Sequence, residues 1–584
     1  MLYAFFGKHR NRLAFRKGAL LKLPLSSKTM TIACEEHASE ARLPHLFPGP
    51  AILIAVAAFA VLVPMFFLGN PSGHDFEFHL NSWMEVVNQW KQGIVYPRWA
   101  AMAHYSYGEA RFLFYPPASW VLGGLLGLVL PWALVAPAFI WIALSTAGVS
   151  MFFLARQWLS RADATFAAAL YAINPYHIVI VYWRSAFAEL LAAGLLPLLL
   201  LWVLRAQQDG RKIIVPLSLV VAGAWLTNAP AAVMVNYSLA LLVVAVAMVR
   251  RAPRILLCGA TAVILGAALS GFYLLPAVYE EKWVNIAQVL SPGVRPQDNF
   301  LFTVIPDPDH NRFNLLVSTV ALNEIVVLVA AAFLARNSRR NQPLLWWALT
   351  AWSAAALLLM FSVTFFFWEH LPKLRFVQLP WRWLLCLNLA FALWVTLGMG
   401  RWISRTLVCL LMLGVIATGW YKIQTPWWDG ADDIAEMRDN LEEGQGYEGT
   451  DEYVPTGADP YEIKQNVGQV IVEGASQARI HVQQWSPEFR LFTADVTQPA
   501  RAVLRLFNYP AWTVEVNGHL VPTEAHEVTG QLMFQLPPGD NRVRVTLTRT
   551  WDRTLGGVVS GVTAVLLVAV IRADKRRSKY MLSS

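Results

Sequence analysis

The sequence predicts a polytopic α-helical membrane protein of about twelve transmembrane helices that carries a C-terminal extracytoplasmic β-sandwich-like domain. Three observations predict it. Of the 584 residues, 56% are hydrophobic and only 15% charged, whereas a soluble globular chain is roughly 45–50% apolar. Apolar runs such as Ala51 to Leu68 and Leu344 to Phe367 are long enough to cross a hydrocarbon core of roughly 30 Å. Residues 479–548 change to the period-2 alternation of strands.

The chain opens with a basic tail over 1–49, too long and too interrupted for a cleaved signal peptide, so the first helix is expected to stay as an anchor. Apolar runs then place spans near 50–69, 134–155, 163–181, 187–205, 213–228, 231–249, 254–278, 317–335, 343–367, 380–400, 403–420 and 554–572. The net charge of +9 collects between them, in Lys8 to Lys28, Arg156 with Arg161, Arg205 to Lys212, Arg250 to Arg254, Arg336 to Arg340, Arg401 with Arg405, and Arg572 to Lys579. The positive-inside rule puts each of these, and both termini, in the cytoplasm. Charge spent on topology argues against a nucleic-acid partner. The run Ala118 to Leu130 would invert Arg156 and Arg161 if it spanned, so it is expected to be a juxtamembrane or half-inserted helix. Cys258, Cys386 and Cys409 lie in helices and Cys34 in the tail, without metal or disulfide spacing.

This leaves a transmembrane domain over 50–420 with a first outside loop at 70–117, an outside region at 421–553, and a last helix with a basic tail at 554–584. A short outside turn is expected at 174–187 and a longer loop at 279–316. Residues 429–452 carry ten acids and one base, Arg438, and read as a solvated, partly helical linker. Strands follow at Arg479–Gln484, Arg490–Val496, Ala502–Phe507, Trp512–Val516, Gln531–Gln535 and Arg542–Thr548, with hairpin signals at Asn517-Gly518 and Pro537 to Asp540. Tyr509 and Trp512 there read as sandwich core before sugar platforms.

Chemistry is expected in the first outside loop, where Pro71-Ser72-Gly73-His74-Asp75-Phe76-Glu77-Phe78-His79 follows the first span. Phe76, Leu80, Trp83, Val87 and Trp90 form one stripe of an amphipathic interfacial helix, with Glu77, Asn81 and Glu85 opposite. Asp75 reads either as its N-cap or as a base beside the membrane. His74 and His79 with Asp75 and Glu77 could together ligate a divalent cation. Glu324, inside an apolar run, marks either a functional intramembrane charge or a helix that starts later than drawn.

The acidic motif after the first helix, the juxtamembrane helix, and Tyr115-Pro116-Pro117 leading into the next apolar segment resemble the GT-C class of integral-membrane glycosyltransferases. The resemblance is to YfhO-like bacterial membrane proteins and relatives labelled pyruvoyl-tetrahydropterin-synthase-related. It extends through Tyr96-Pro97-Arg98-Trp99, Asn174-Pro175-Tyr176, Arg184 to Glu189, Thr227-Asn228, Leu379 to Trp383 and Tyr509 to Trp512.

What the resemblance implies is a bacterial inner membrane, a polyprenyl-phosphate sugar donor, and an extracytoplasmic glycan, lipid or protein acceptor. Asp75, then Glu77, would deprotonate the acceptor hydroxyl. Arg184 and Arg382 would hold the phosphate bidentately, with Lys373 and Arg375 behind them. His79, Arg98, Tyr115, Glu189 and Asn228 join as substrate-binding candidates. Competing expectations are an Arg184–Glu189 ion pair that orients the loop, and Arg382 as an interfacial anchor whose cation lies over a flanking Trp. A lipid-carrier or polysaccharide transporter, and a silent envelope scaffold recruiting partners through the β domain, are the alternative functions.

Overall fold

The computed structural model of the protein describes residues 48–206, 211–474 and 477–583, with side chains to 573. Most of the basic tail with Cys34, part of Arg205 to Lys212 and the side chains beyond residue 573 lie outside the described residues.

Among the described residues, nine helices are long and apolar enough to cross a membrane, and two bent pairs, Arg254–Leu269 with Gly271–Trp283 and Pro343–Leu359 with Ser362–His370, raise this to as many as eleven. The remaining expected span is the 14-residue helix Ile214–Thr227, about 21 Å long at the α-helical rise. Ala118 to Leu130 falls on Pro117–Gly127, an 11-residue helix of about 16 Å, packed on Phe76–Lys91 and Trp132–Ala155.

Two expected boundaries move. The span Arg161–Arg184 continues through most of the segment expected as an outside turn. Its helix breaks at Asn174, because Pro175 has no N–H to continue the ladder, and restarts with the Asn174 side chain capping Tyr176 N at 2.9 Å. The real turn is at Ser185, in the left-handed region with φ 52°. The helix expected from 317 begins at Pro308, capped by Asp307, which accepts from Asp309 N and His310 N at 3.0 and 3.1 Å. Glu324 therefore sits in mid-helix, not at a helix start.

The helix Phe76–Lys91 is present with its apolar stripe inward, but its other face is not solvated: Asn81, Glu85 and Gln89 are buried too. Glu85 accepts from Tyr447 Oη at 2.5 Å, from Met102 N at 3.2 Å and from Gln89 Nε2 at 3.1 Å. Beside it Glu109 pairs with Arg111 at 2.5 Å and His104 at 2.9 Å and accepts from Thr450 N at 2.8 Å. These bonds bind the first loop to the acidic linker, whose helix spans Ala431–Glu442.

A ribbon of β1 (Asn70–Pro71) with β2 (Trp428–Asp429) ties the same two segments together just beyond the ends of the helices Pro48–Leu68 and Trp402–Ile423. The β domain holds β3 (Val470–Glu473), β4 (Ala478–Ser486), β5 (Phe489–Val496), β6 (Ala500–Phe507), β7 (Trp512–Val516), β8 (His519–Val521), β9 (Glu524–Ala525), β10 (Gln531–Leu536) and β11 (Gly539–Leu547). They make a four-stranded sheet, β3-β6-β10-β9, and a five-stranded sheet, β4-β5-β11-β7-β8. Phe492, Ala494, Val543 and Val545 alternate inward. The β7–β8 hairpin turns on Asn517 and Gly518, both at positive φ (54° and 84°), as a primed turn requires.

The sandwich is clamped to the membrane helices. Arg553, at the start of the last helix, binds both oxygens of Glu280 at 2.8 Å, and Tyr509 Oη donates to Glu280 at 2.5 Å. Tyr509 and Trp512 are buried against Trp99, so they are packing residues, as expected of the core reading.

Candidate functional site

The first loop meets the end of the broken span in a tight backbone junction. His74 N and Asp75 N donate to the carbonyls of Trp183 and Arg184 at 3.4 and 2.8 Å. Ser185 Oγ bridges Gly73 N at 3.0 Å and Pro71 O at 2.8 Å. A Cβ on Gly73 would lie 2.7 Å from Trp183 O and Arg184 C, so only glycine lets the loop come this close.

The junction assembles charges from three parts of the chain. Arg184 Nη1 binds Glu189 Oε2 at 2.5 Å and Arg382 Nε reaches the same oxygen at 3.1 Å. Tyr176 Oη donates to Glu189 Oε1 at 2.7 Å. Arg184 Nη2 lies 3.8 Å from Asp75 Oδ2, while Asp75 Oδ1 meets His74 Nδ1 at 2.7 Å. Glu189 is sealed, at 1% exposed, and the cluster opens outward through Asp75, 28% exposed, and His74, 82% exposed.

Arg382 is aimed by its own loop. It donates to Val377 O at 2.8 Å and Gln378 Oε1 at 2.9 Å. Leu379 N also returns to Val377 O at 2.8 Å, and Gln378 adopts φ 65°, ψ −61°: a γ-turn of the strained hand, which costs on the order of 1–3 kcal/mol. Gln378 Nε2 donates in turn to Val289 O at 2.7 Å, in the loop that follows the bent helix pair.

Burial alone would raise the Asp75 carboxyl, but the His74 hydrogen bond and charge, with Arg184 behind, hold it well below the carboxylate range. The same hydrogen bond raises His74 above 6.5. Burial lowers His79 to about 4 and raises Glu77.

Of the residues expected to form the site, Asp75, Arg184, Glu189 and Arg382 converge, and the expected Arg184–Glu189 pair is present. Asp75 stands at the N-cap position, yet its side chain makes no capping bond; it is spent on His74. Tyr115 and His79 line the inner wall: the His79 ring lies 5.8 Å from Tyr115 and 5.2 Å from Phe187, with Nδ1 3.3 Å from Ser119 Oγ.

Others stand apart. Glu77 is exposed and faces Asp429 and Glu448. Arg98 stacks on Tyr96 at 4.5 Å, with Glu280, Glu488 and Arg553 as its charged neighbours. Asn228 caps the helix Ala229–Arg250 through Ala231 N at 2.9 Å. The cation over a Trp ring is Arg184 on Trp381, at 4.9 Å, rather than Arg382, and Trp381 and Trp383 are core residues.

The quartet considered for a divalent cation does not converge, because Glu77 points away and His79 is buried on Ser119. Among the described residues no group of three or more His, Cys, Asp or Glu side chains is placed to hold a metal. Tyr176 and Gln378 were not singled out from sequence. Tyr176 stood within the Asn174-Pro175-Tyr176 motif, whereas nothing local marks Gln378.

Comparison with known proteins places the chain in a family. No curated protein matches the sequence. Among solved structures, the crystal structure of ArnT from Cupriavidus metallidurans bound to undecaprenyl phosphate matches with a TM-score of 0.40 and 14% identity, over 63% of this chain and 63% of that one. This chain thus spans under two thirds of the length of that protein. A sequence profile described as 6-pyruvoyl-tetrahydropterin synthase related domain, membrane protein, matches residues 112–424, which include Arg184, Glu189 and Arg382. With more than half of its length matched, the chain belongs to the PTPS-related family of membrane proteins.

Proposed function

We propose that the protein is a membrane glycosyltransferase that moves a sugar from a polyprenyl-phosphate donor to a hydroxyl at the extracytoplasmic face. The observation that carries this reading is the sharing of Glu189 by Arg184 and Arg382 directly beneath the half-open Asp75. Two guanidiniums at the outer end of membrane helices suit a phosphate linked to a lipid, since their forked donors match phosphate oxygens.

In this reading Asp75 and His74 act as a dyad. A carboxylate held as low as Asp75 is a weak proton acceptor, but it orients the imidazole and stabilises its protonated form, as a buried carboxylate does for a catalytic histidine. His74 Nε2 takes the acceptor's proton, and the acceptor oxygen attacks the anomeric carbon. The bond from that carbon to the phosphate oxygen breaks with its electron pair on the phosphate, where Arg184 and Arg382 meet the charge. Tyr115 and His79 form the wall beneath. Arg98, Asn228 and Glu77 have no part in it.

The test is transfer from a panel of labelled polyprenyl-phosphate sugars by the full-length protein in liposomes, comparing wild type with Asp75→Asn and His74→Gln. Turnover that falls about 100-fold or more in both, within the general-base range and with folding unchanged, supports the reading. Unaltered turnover in both variants refutes the dyad.

A further inference from the structure

Three polar side chains meet deep inside the membrane domain, apart from the outer cluster. Glu324 lies near the middle of the helix Pro308–Leu334, Asn388 near the middle of Pro380–Gly398, and Asn174 at the break of Arg161–Arg184. All three are fully buried. With its nitrogen turned inward, the Asn388 amide lies 2.8 Å from Asn174 Oδ1, 3.0 Å from Glu324 Oε2 and 3.1 Å from Leu384 O. Glu324 Oε1 is enclosed and makes no hydrogen bond of good geometry, although the Tyr176 amide faces the carboxyl.

No ion pair of the described residues involves Glu324. The neighbouring helices bring titratable groups that are engaged elsewhere. Tyr176 turns its hydroxyl to Glu189 and His177 sets Nδ1 on Ala172 O at 3.2 Å. Arg382 is held by Glu189, and Cys386 contacts Ser238 at 3.7 Å. On Trp402–Ile423, Arg405 pairs with Asp163 at 2.7 Å and Cys409 is exposed.

A bare carboxylate at the bilayer centre is expensive, and such residues mark proton or ion sites by default. The Asn388 NH2 group stands between the oxygens of Asn174 and Glu324 and so meets Oε2 with a neutral donor. A proton on Oε1 would cancel the charge that remains.

We propose that Glu324, with Asn388 and Asn174, forms an intramembrane proton-binding site, joined to the outer cluster through Tyr176. The Tyr176 amide donates to Asn174 and its hydroxyl to Glu189, so one residue touches both sites. Glycosyl transfer does not require this site, and its test is independent of that reading.

The experiment is infrared difference spectroscopy of the full-length protein in liposomes at neutral pH, wild type against Glu324→Gln, with and without sodium. It is paired with labelling of wild type by a membrane-soluble carbodiimide, which reacts with protonated carboxyls, read by mass spectrometry. The expected result is a protonated-carboxyl band in wild type that is lost in the variant, with carbodiimide on Glu324 whether or not sodium is present. A carboxylate band with no labelling overturns the proposal. Protection of Glu324 by sodium overturns it as well, because the site would then hold a metal cation. The labelling needs no substitution, so the proposal stays testable even where Glu324→Gln fails to fold.

Discussion

Arg184 and Glu189, five residues apart on either side of the Ser185 turn, form a sealed ion pair of 2.5 Å whose carboxylate also holds Arg382. Removing one member of such a pair leaves the others charged in a place water does not reach. Glu189→Ala is expected to cost roughly 3–5 kcal/mol of stability, read as a lowered midpoint of thermal unfolding in nanodiscs. A midpoint unchanged from wild type would show that the arginines find other partners.

The Gly73 contact sets how deep the first loop sits. Gly73→Ala puts a methyl 2.7 Å from the Arg184 backbone and must push His74 and Asp75 outward. Transfer should fall by about tenfold or more, since displacements of order 1 Å are costly in catalysis, while the unfolding midpoint changes little. Kinetics and thermal unfolding on one preparation check both halves.

The Asp75–His74 dyad makes a prediction in pH. His74 is raised above 6.5 by Asp75, and the base must be neutral to accept a proton. The kcat/KM for transfer should therefore climb through an inflection above 6.5. In Asp75→Asn the residual activity should show the inflection displaced downward. A profile that does not move with this substitution removes His74 from the mechanism.

Glu85 gives a pH dependence of stability with the opposite sign from an ordinary carboxylate. Burial raises it from 4.5 to about 7, against the hydrogen bonds from Tyr447 and Met102. With the folded value above the unfolded one, its contribution is fully present below about 4.5 and lost as pH rises through about 7. Glu85→Gln keeps the neutral form at all pH. The wild type should lose stability relative to this variant between about pH 4.5 and 7, and parallel unfolding curves across that interval would contradict the assignment.

What the sequence made legible was local. The six expected strands are all present because alternation is a property of neighbouring residues, and the sandwich edges β3, β8 and β9 were missed because they are too short to show it. The Arg184–Glu189 pair could be read from a spacing of five. Glu189 with Arg382 spans 193 positions and Tyr447 with Glu85 spans 362; no pattern along the chain announces such partners. The polar face of Phe76–Lys91 looked solvated for the same reason, since its cover comes from the distant linker. Asn174-Pro175 looked like an outside turn because Pro ends most helices, whereas inside a membrane domain a capping Asn lets the helix resume.

The strained turn at Gln378 links the β domain to the site. The segment just before the sandwich holds the loop after the bent helix pair through Asn285 N to Val454 O, 2.9 Å, and Thr456 N to Trp283 O, 3.0 Å. That loop grips Gln378 through Val289 O, and Gln378 grips Arg382. A displacement of the sandwich would be passed along these bonds through the strained turn, and the group at their end is the guanidinium proposed to hold the phosphate.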